Sequence, residues 1–218
     1  MPQPSAKALQ SALAAHCSAL ASCRRCDCAP GVLPIISVAR RPQVMLVGQA
    51  PGKVETAGGK PFAGRAGATL FRWLERAGVD ERTARDRIYI AAITRCYPGP
   101  SASGRGDRVP SPAEREHCAS WLEDELRIIR PRLLIPVGRL AIERFLSPRP
   151  LDVLIGREHA VQHDGGRSIA IPLPHPSGAS SWIHQANHSR LLDQAIELLG
   201  SRLHELVLGG RRPTRSVA

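Results

Sequence analysis

Four cysteines of this 218-residue chain fall into two distant sets. Cys23 and Cys26 form a Cys-x2-Cys pair, while Cys96 and Cys118 lie far downstream. A close pair joined by two widely spaced thiols can tie separate segments of a fold to one metal centre. Such a set holds tetrahedral zinc or an iron–sulfur cluster, but cysteine also serves as a small buried hydrophobe. Spacing alone leaves all three readings open. Cys17 and Cys28 are left over, with Cys28 near enough to the pair to exchange for one of its members.

A second group of chemically capable residues sits in short Gly- and Pro-rich runs. These are Gly48-Gln49-Ala50-Pro51-Gly52, then Glu55, then Gly59 to Gly67 with Phe62 and Arg65 inside it, and finally Pro174-His175-Pro176-Ser177. Glycine at 48 and 52 lets main-chain amides approach a ligand closely. The prolines flanking His175 restrict the backbone around the imidazole and hold it in place. Taken singly, each run means no more than a turn, a core phenylalanine or a surface histidine.

The elements that must position these runs are legible. Residues 43–48, 87–93, 132–138 and 168–173 are short apolar segments of strand character. Near-continuous apolar strands separated by helical stretches predict crossover connections and a sheet covered on both faces. Helices are predicted over 5–22, 66–78, 111–129, 139–146 and 185–206, the third opened by the capping box Ser111-Pro112-Ala113-Glu114. The predicted fold is therefore α/β, a three-layer α/β/α sandwich with a central four-stranded parallel sheet. It is read as one domain over 1–208, with a basic, disordered tail over 209–218. Gly48, Cys96, Gly138 and His175 all follow strands, at the carboxyl edge where open α/β sheets bind ligands. The run from Pro98 to Pro110 reads as a flexible loop carrying Arg105 and Arg108.

Composition narrows the partner. A formal charge of +11 and a pI near 10.4 favour a polyanion, nucleic acid first. Arginine outnumbers lysine heavily, a bias of residue choice that does not account for the surplus of basic groups. No apolar run approaches the roughly 20 residues of a membrane span. No charged segment leads into an apolar one at the N-terminus, so the expected location is cytoplasmic, where cysteines favour metal over disulfides.

The ordered set of motifs resembles the uracil-DNA glycosylase superfamily, in particular its iron–sulfur branch, family 4. The resemblance covers Cys17 to Leu199 and rests on Gly48-Gln49-Ala50-Pro51-Gly52, Glu55, Gly59 to Gly67, His175-Pro176-Ser177 and the four cysteines. It implies monofunctional removal of uracil from DNA by a monomer. A 4Fe-4S cluster on Cys23, Cys26, Cys96 and Cys118 would brace the structure. The base would lie against Gly48, Gln49, Ala50 and Phe62, with His175 donating a hydrogen bond to uracil O2 as negative charge develops there. Arg65, Arg105, Arg108, Ser177, Gly178 and Ser180 would meet the DNA backbone. No basic, His-containing insertion follows Ala66-Gly67, so covalent capture of DNA is not expected.

Three departures from the family pattern bear on mechanism. Gln49 stands where a carboxylate is usual, and an amide holds water but is no general base. Ala91-Ala92 occupies the end of the second strand where the family carries an Asn that reads the uracil edge, and Thr56 replaces an acidic residue. The expected mechanism is dissociative hydrolysis, with Gln49 positioning water, Glu55 as the nearest carboxylate and His175 stabilising the leaving base. The alternatives are a non-catalytic iron–sulfur DNA-binding module and a glycosylase for another base such as hypoxanthine or xanthine.

Overall fold

A computed structural model of the chain describes residues 5–26, 32–103, 106–177, 182 and 185–209. Its sheet contains β1 (Val44–Gly48), β2 (Ile88–Ala92), β3 (Leu133–Pro136), β4 (His159–His163) and β5 (Gly166–Ala170), in the order β2-β1-β3-β5-β4. The pairs β1–β2, β1–β3 and β3–β5 are parallel, and only β4 runs antiparallel, against β5. The helices are α1 (Ala6–Ala21), α2 (Lys53–Gly58), α3 (Arg65–Arg76), α4 (Glu81–Arg87), α5 (Pro112–Ile129), α6 (Arg139–Phe145), α7 (Leu151–Leu154) and α8 (Ala186–Leu206).

Strand alternation explains why both faces are apolar. Val44, Leu46, Ile88, Ile90, Leu133 and Ile135 face one layer, where they meet Leu70 and Leu74 of α3 and Leu199 and Leu203 of α8. Met45, Val47, Tyr89, Ala91 and Leu134 face the other layer, with Leu9 and Leu13 of α1 and Leu122 and Leu126 of α5. Each fully buried Leu or Ile of this kind contributes about 1.5–3 kcal/mol relative to exposure. The three-layer α/β/α arrangement is thus the one the apolar runs require.

Among the described residues the sheet has five strands, not four. The additional strand, β4, reads His159-Ala160-Val161-Gln162-His163 and buries only Val161, so its apolar signal is weak. It is an edge strand, where a polar outer side suits solvent. Its turn, Asp164-Gly165, is a Asp-Gly hairpin signal that could have found it. The fourth predicted strand begins earlier, at Gly166, and beyond Ala170 it stays beside β3 through Ile171 N–H to Leu134 O at 3.0 Å, Leu173 N–H to Pro136 O at 2.9 Å and the bridge Val137–Leu173. The predicted capping box of α5 is present, with the Glu114 amide donating to Ser111 Oγ at 3.2 Å and the Ser111 amide to Glu114 Oε2 at 2.7 Å.

The stretch read as a flexible loop is tied back on itself. Pro100 and Asp107 form an antiparallel bridge, Ser101 N–H donates to Gly106 O at 3.0 Å, and Arg108 N–H to Gly99 O at 3.0 Å. Residues 99–101 and 106–108 therefore pair with each other, and Asp107 and Arg108 lie at the sheet edge. Among the described residues no helix is long and apolar enough to cross a membrane. The tail from residue 210 lies outside the described residues.

Candidate active site and cysteine cavity

A cavity of about 740 Å³ opens at the carboxyl edge of the sheet, within the roughly 300–1,000 Å³ typical of ligand clefts. The turn after β1 contributes Gly48, Gln49, Ala50 and Gly52; Glu55, Phe62 and Arg65 follow; and β2 ends at its wall with Ala91 and Ala92. Asp107 and Arg108 enter from the paired segments before α5, and His175 and Ser177 from beyond β5. The cavity thus gathers most of the residues singled out in sequence. Arg105, Gly178 and Ser180, like Cys28, lie outside the described residues.

Glu55 braces the turn. It is 8% exposed, and its carboxylate accepts the Gly52 amide at 2.9 Å and the Gly64 amide at 3.2 Å, one on each oxygen. Both oxygens are therefore engaged in holding the β1 turn to the start of α3. Phe62 has φ of 51°, in the left-handed region, which costs an L-residue about 1–2 kcal/mol. Its ring lies over Gly48, where a methyl group would stand 2.9 Å from Cζ. Gly48 is thus the only residue type that lets this ring form a cavity wall without moving.

His175 is held as a neutral imidazole. The Ser177 amide donates to Nδ1 at 3.3 Å, and Ser177 Oγ lies 2.9 Å from the same nitrogen. A backbone N–H can only donate, so Nδ1 accepts and the ring proton resides on Nε2. Burial pushes the pKa below its usual value. Gly138, at φ of 84°, makes room for the ring: a methyl group there would stand 2.9 Å from Cδ2. The arrangement supplies a preorganised neutral donor, suited to a charge that appears only as a bond breaks.

Asp107 is the residue that sequence reasoning passed over. Its carboxylate approaches the Gly52 backbone, where a methyl group would stand 2.8 Å from Oδ2, and the Tyr97 side chain hydrogen-bonds it. It brings a second carboxylate to the cavity that Gln49 also lines. The arginines of the same loop stand out in the sequence, whereas Asp107 follows Gly106, whose φ of 77° is seen only in the structure. Arg108 lines the cavity but also forms a two-pronged pair with Glu114, at 2.6 and 2.7 Å, which pulls the Glu114 pKa down to about 2.

Cys23, Cys26, Cys96 and Cys118 line one neighbouring cavity of about 240 Å³. Among the described residues no three His, Cys, Asp or Glu side chains lie close enough to hold a single metal ion. Tetrahedral zinc at about 2.3 Å per thiolate would draw the sulfurs to within roughly 3.8 Å of one another. The all-sulfur donor set is of the kind that also holds a multi-iron group with one thiolate per iron. Two polar atoms of the same wall, Thr94 Oγ1 and Arg95 Nε, are buried with no hydrogen-bond partner among the described residues. Cluster sulfur is an acceptor that would satisfy such donors. Trp121 Nε1–H already donates to Cys23 Sγ at 3.3 Å. Cys17 stands apart, against Ser37 O and the Tyr89 hydroxyl.

Arg95 also lines the larger cavity, so one side chain forms part of both walls. Its guanidinium pairs with Glu125, which is fully buried and also accepts the Tyr89 hydroxyl at 2.7 Å and contacts His16 Nε2 at 3.3 Å. Desolvation and the adjacent carboxylate raise the Tyr89 pKa far above its ordinary value, so the phenol remains a donor. This network fixes the segment between β2 and Cys96.

Comparison with known proteins agrees with this geometry. A profile of the uracil DNA glycosylase superfamily matches residues 36–200. The chain is 30% identical over 135 residues to the type-4 uracil-DNA glycosylase of Thermotoga maritima, covering 62% of this chain and 65% of that protein. It is 29% identical over 168 residues to the type-4 uracil-DNA glycosylase of Archaeoglobus fulgidus, covering 72% and 77%. It is 31% identical over 116 residues to the type-5 uracil-DNA glycosylase of Thermus thermophilus, covering 48% and 50%. The match thus spans from half to about three-quarters of these relatives, just under two thirds in the Thermotoga protein. Because the profile takes in the strands and turns that build the larger cavity, the chain belongs to the uracil-DNA glycosylase superfamily.

Proposed function

We propose that this chain is a monofunctional DNA glycosylase that hydrolyses the N-glycosidic bond of uracil in DNA, a base-excision repair activity. The observation that carries this reading is the shared cavity of Gln49, Phe62, Asp107 and His175 in a member of this superfamily. A flipped-out base stacks on Phe62, which returns about 1–3 kcal/mol against the cost of unstacking. As the glycosidic bond lengthens, negative charge gathers on uracil, and His175 Nε2–H donates to O2. Water held by the Gln49 amide adds to the sugar C1′ and gives its proton to the Asp107 carboxylate, while uracil leaves as the anion. Glu55 keeps the turn in place instead of handling the water.

Cys23, Cys26, Cys96 and Cys118 hold a 4Fe-4S cluster whose contribution is to fasten the end of α1 to the segment after β2 and to α5. Arg65 and Ser177 contact DNA backbone, joined by Arg105, Gly178 and Ser180; Arg108 does so while paired with Glu114. The protein acts in the cytoplasm as a monomeric, single glycosylase domain over 1–208, its basic tail adding charge for DNA.

A second reading, a glycosylase for a deaminated purine such as hypoxanthine, is favoured by one feature. The wall at Ala91 and Ala92 is small and carries no side-chain amide to read a pyrimidine edge. Single-turnover base release from oligonucleotides carrying uracil, hypoxanthine or xanthine, single- and double-stranded, separates the readings. Uracil release supports the first, purine release alone supports the second, and binding without release leaves a non-catalytic module.

A further inference from the structure

We infer that Arg85 is a positioning residue for Phe62, holding the ring that walls the base cavity in its left-handed turn; this rests on the stacking role proposed above for Phe62. Arg85 lies on α4, more than twenty residues from the turn it holds. Its Nη1 donates to Pro61 O at 2.9 Å and its Nη2 to Phe62 O at 3.3 Å, so one guanidinium spans two successive carbonyls. That geometry uses the planar fork of arginine, which a lysine ammonium cannot reproduce.

The guanidinium is itself fixed. Its Nε donates to Glu81 Oε1 at 2.8 Å, and its Cζ sits 4.4 Å above the Phe71 ring centre. Phe71 belongs to the buried core, whereas Pro61 and Phe62 are only half-buried. The fork therefore ties the two carbonyls of the turn to the core, beside the packing of the Phe62 ring against that same core. Gly67 leaves the room this arrangement needs, since a methyl group there would overlap the Phe62 carbonyl. Phe62 is a non-glycine residue at positive φ, a conformation that persists only where its surroundings impose it. Releasing the carbonyls frees the turn to relax, and the ring loses its place over Gly48.

A double-mutant cycle with a structural arm tests this. Arg85→Ala and Arg85→Lys are each made alone and with Phe62→Ala, with single-turnover uracil release and thermal midpoint measured for all. If Arg85 acts through the ring, Arg85→Ala lowers the rate by about tenfold or more in the wild-type background and by less than about twofold beside Phe62→Ala. Arg85→Lys does not restore the rate. Equal losses in both backgrounds, or none in either, overturn the inference. A wild-type protein that releases no uracil overturns the proposed substrate instead. In that case a crystal structure of Arg85→Lys, or of Arg85→Ala where it folds, still decides: Phe62 unmoved at positive φ over Gly48 contradicts the inference, and a displaced ring supports it.

Discussion

The imidazole of His175 packs against Gly138 so closely that a methyl group on Gly138 would stand 2.9 Å from Cδ2, and Gly138 is itself at φ of 84°. One glycine thus meets two demands, an extended positive-φ backbone after β3 and clearance for the ring. Gly138→Ala is expected to strain the backbone by about 1–3 kcal/mol and to push the imidazole away from the cavity. Base release should fall by about tenfold or more while the protein stays folded, because the proposed donation to the leaving base depends on sub-ångström placement. Single-turnover rates beside a thermal melt check this. A melt shifted with the rate unchanged would remove placement from the account.

The pH profile should follow from the neutral His175. Burial lowers its pKa, so the ring stays neutral in the folded protein at pH values where an unfolded histidine, titrating near about 6.5, begins to protonate. Protonating Nδ1 would break the bond from the Ser177 amide. Base release should therefore hold its plateau as pH falls through about 6.5 and decline only below it. The stability that the neutral ring contributes is full above that same unfolded value and is lost as pH drops through the lower folded one. An acid limb centred above the ordinary histidine range would contradict the buried, neutral assignment.

Water handling divides between position 49 and position 107. Asp107→Asn keeps the shape and hydrogen bonds but removes the base, and is expected to slow single-turnover release by about tenfold to a thousandfold. Gln49→Glu in that background should return part of the rate by restoring a carboxylate nearby. Were Asp107→Asn as fast as the parent, the carboxylate next to Gly52 would have no part in activating water.

Glu125 is the keystone of the wall between the two cavities. Removing it leaves the buried Arg95 charge uncompensated, which costs about 3–5 kcal/mol, and also orphans the Tyr89 hydroxyl. Glu125→Ala should therefore lower the thermal midpoint by several degrees or more, and weaken retention of the cluster proposed at the adjacent thiols. Calorimetry and iron content measure both. A variant as stable as the parent would show that the network is not what holds the segment before Cys96.

Much of this was readable from the chain. Val44 to Val47, Ile88 to Ala91 and Leu133 to Ile135 announce themselves because strands buried on both faces need apolar residues without interruption. The turn at Gly48, Phe62 and His175 followed, since residues at the ends of such strands share one edge. β4 was harder to read because an edge strand with one buried residue, Val161, has almost no apolar signature. Asp107 and Arg85 were invisible for a different reason. Each acts across the fold, on Gly52 and on the Phe62 carbonyl, and no local pattern records which distant backbone a side chain will meet.

The most direct measurement is single-turnover release of uracil from a uracil-containing oligonucleotide by the intact protein and by His175→Ala. The account predicts release by the parent and a loss of at least about tenfold, or 1.4 kcal/mol, in the variant, with substrate binding retained. Equal rates for the two proteins would contradict it.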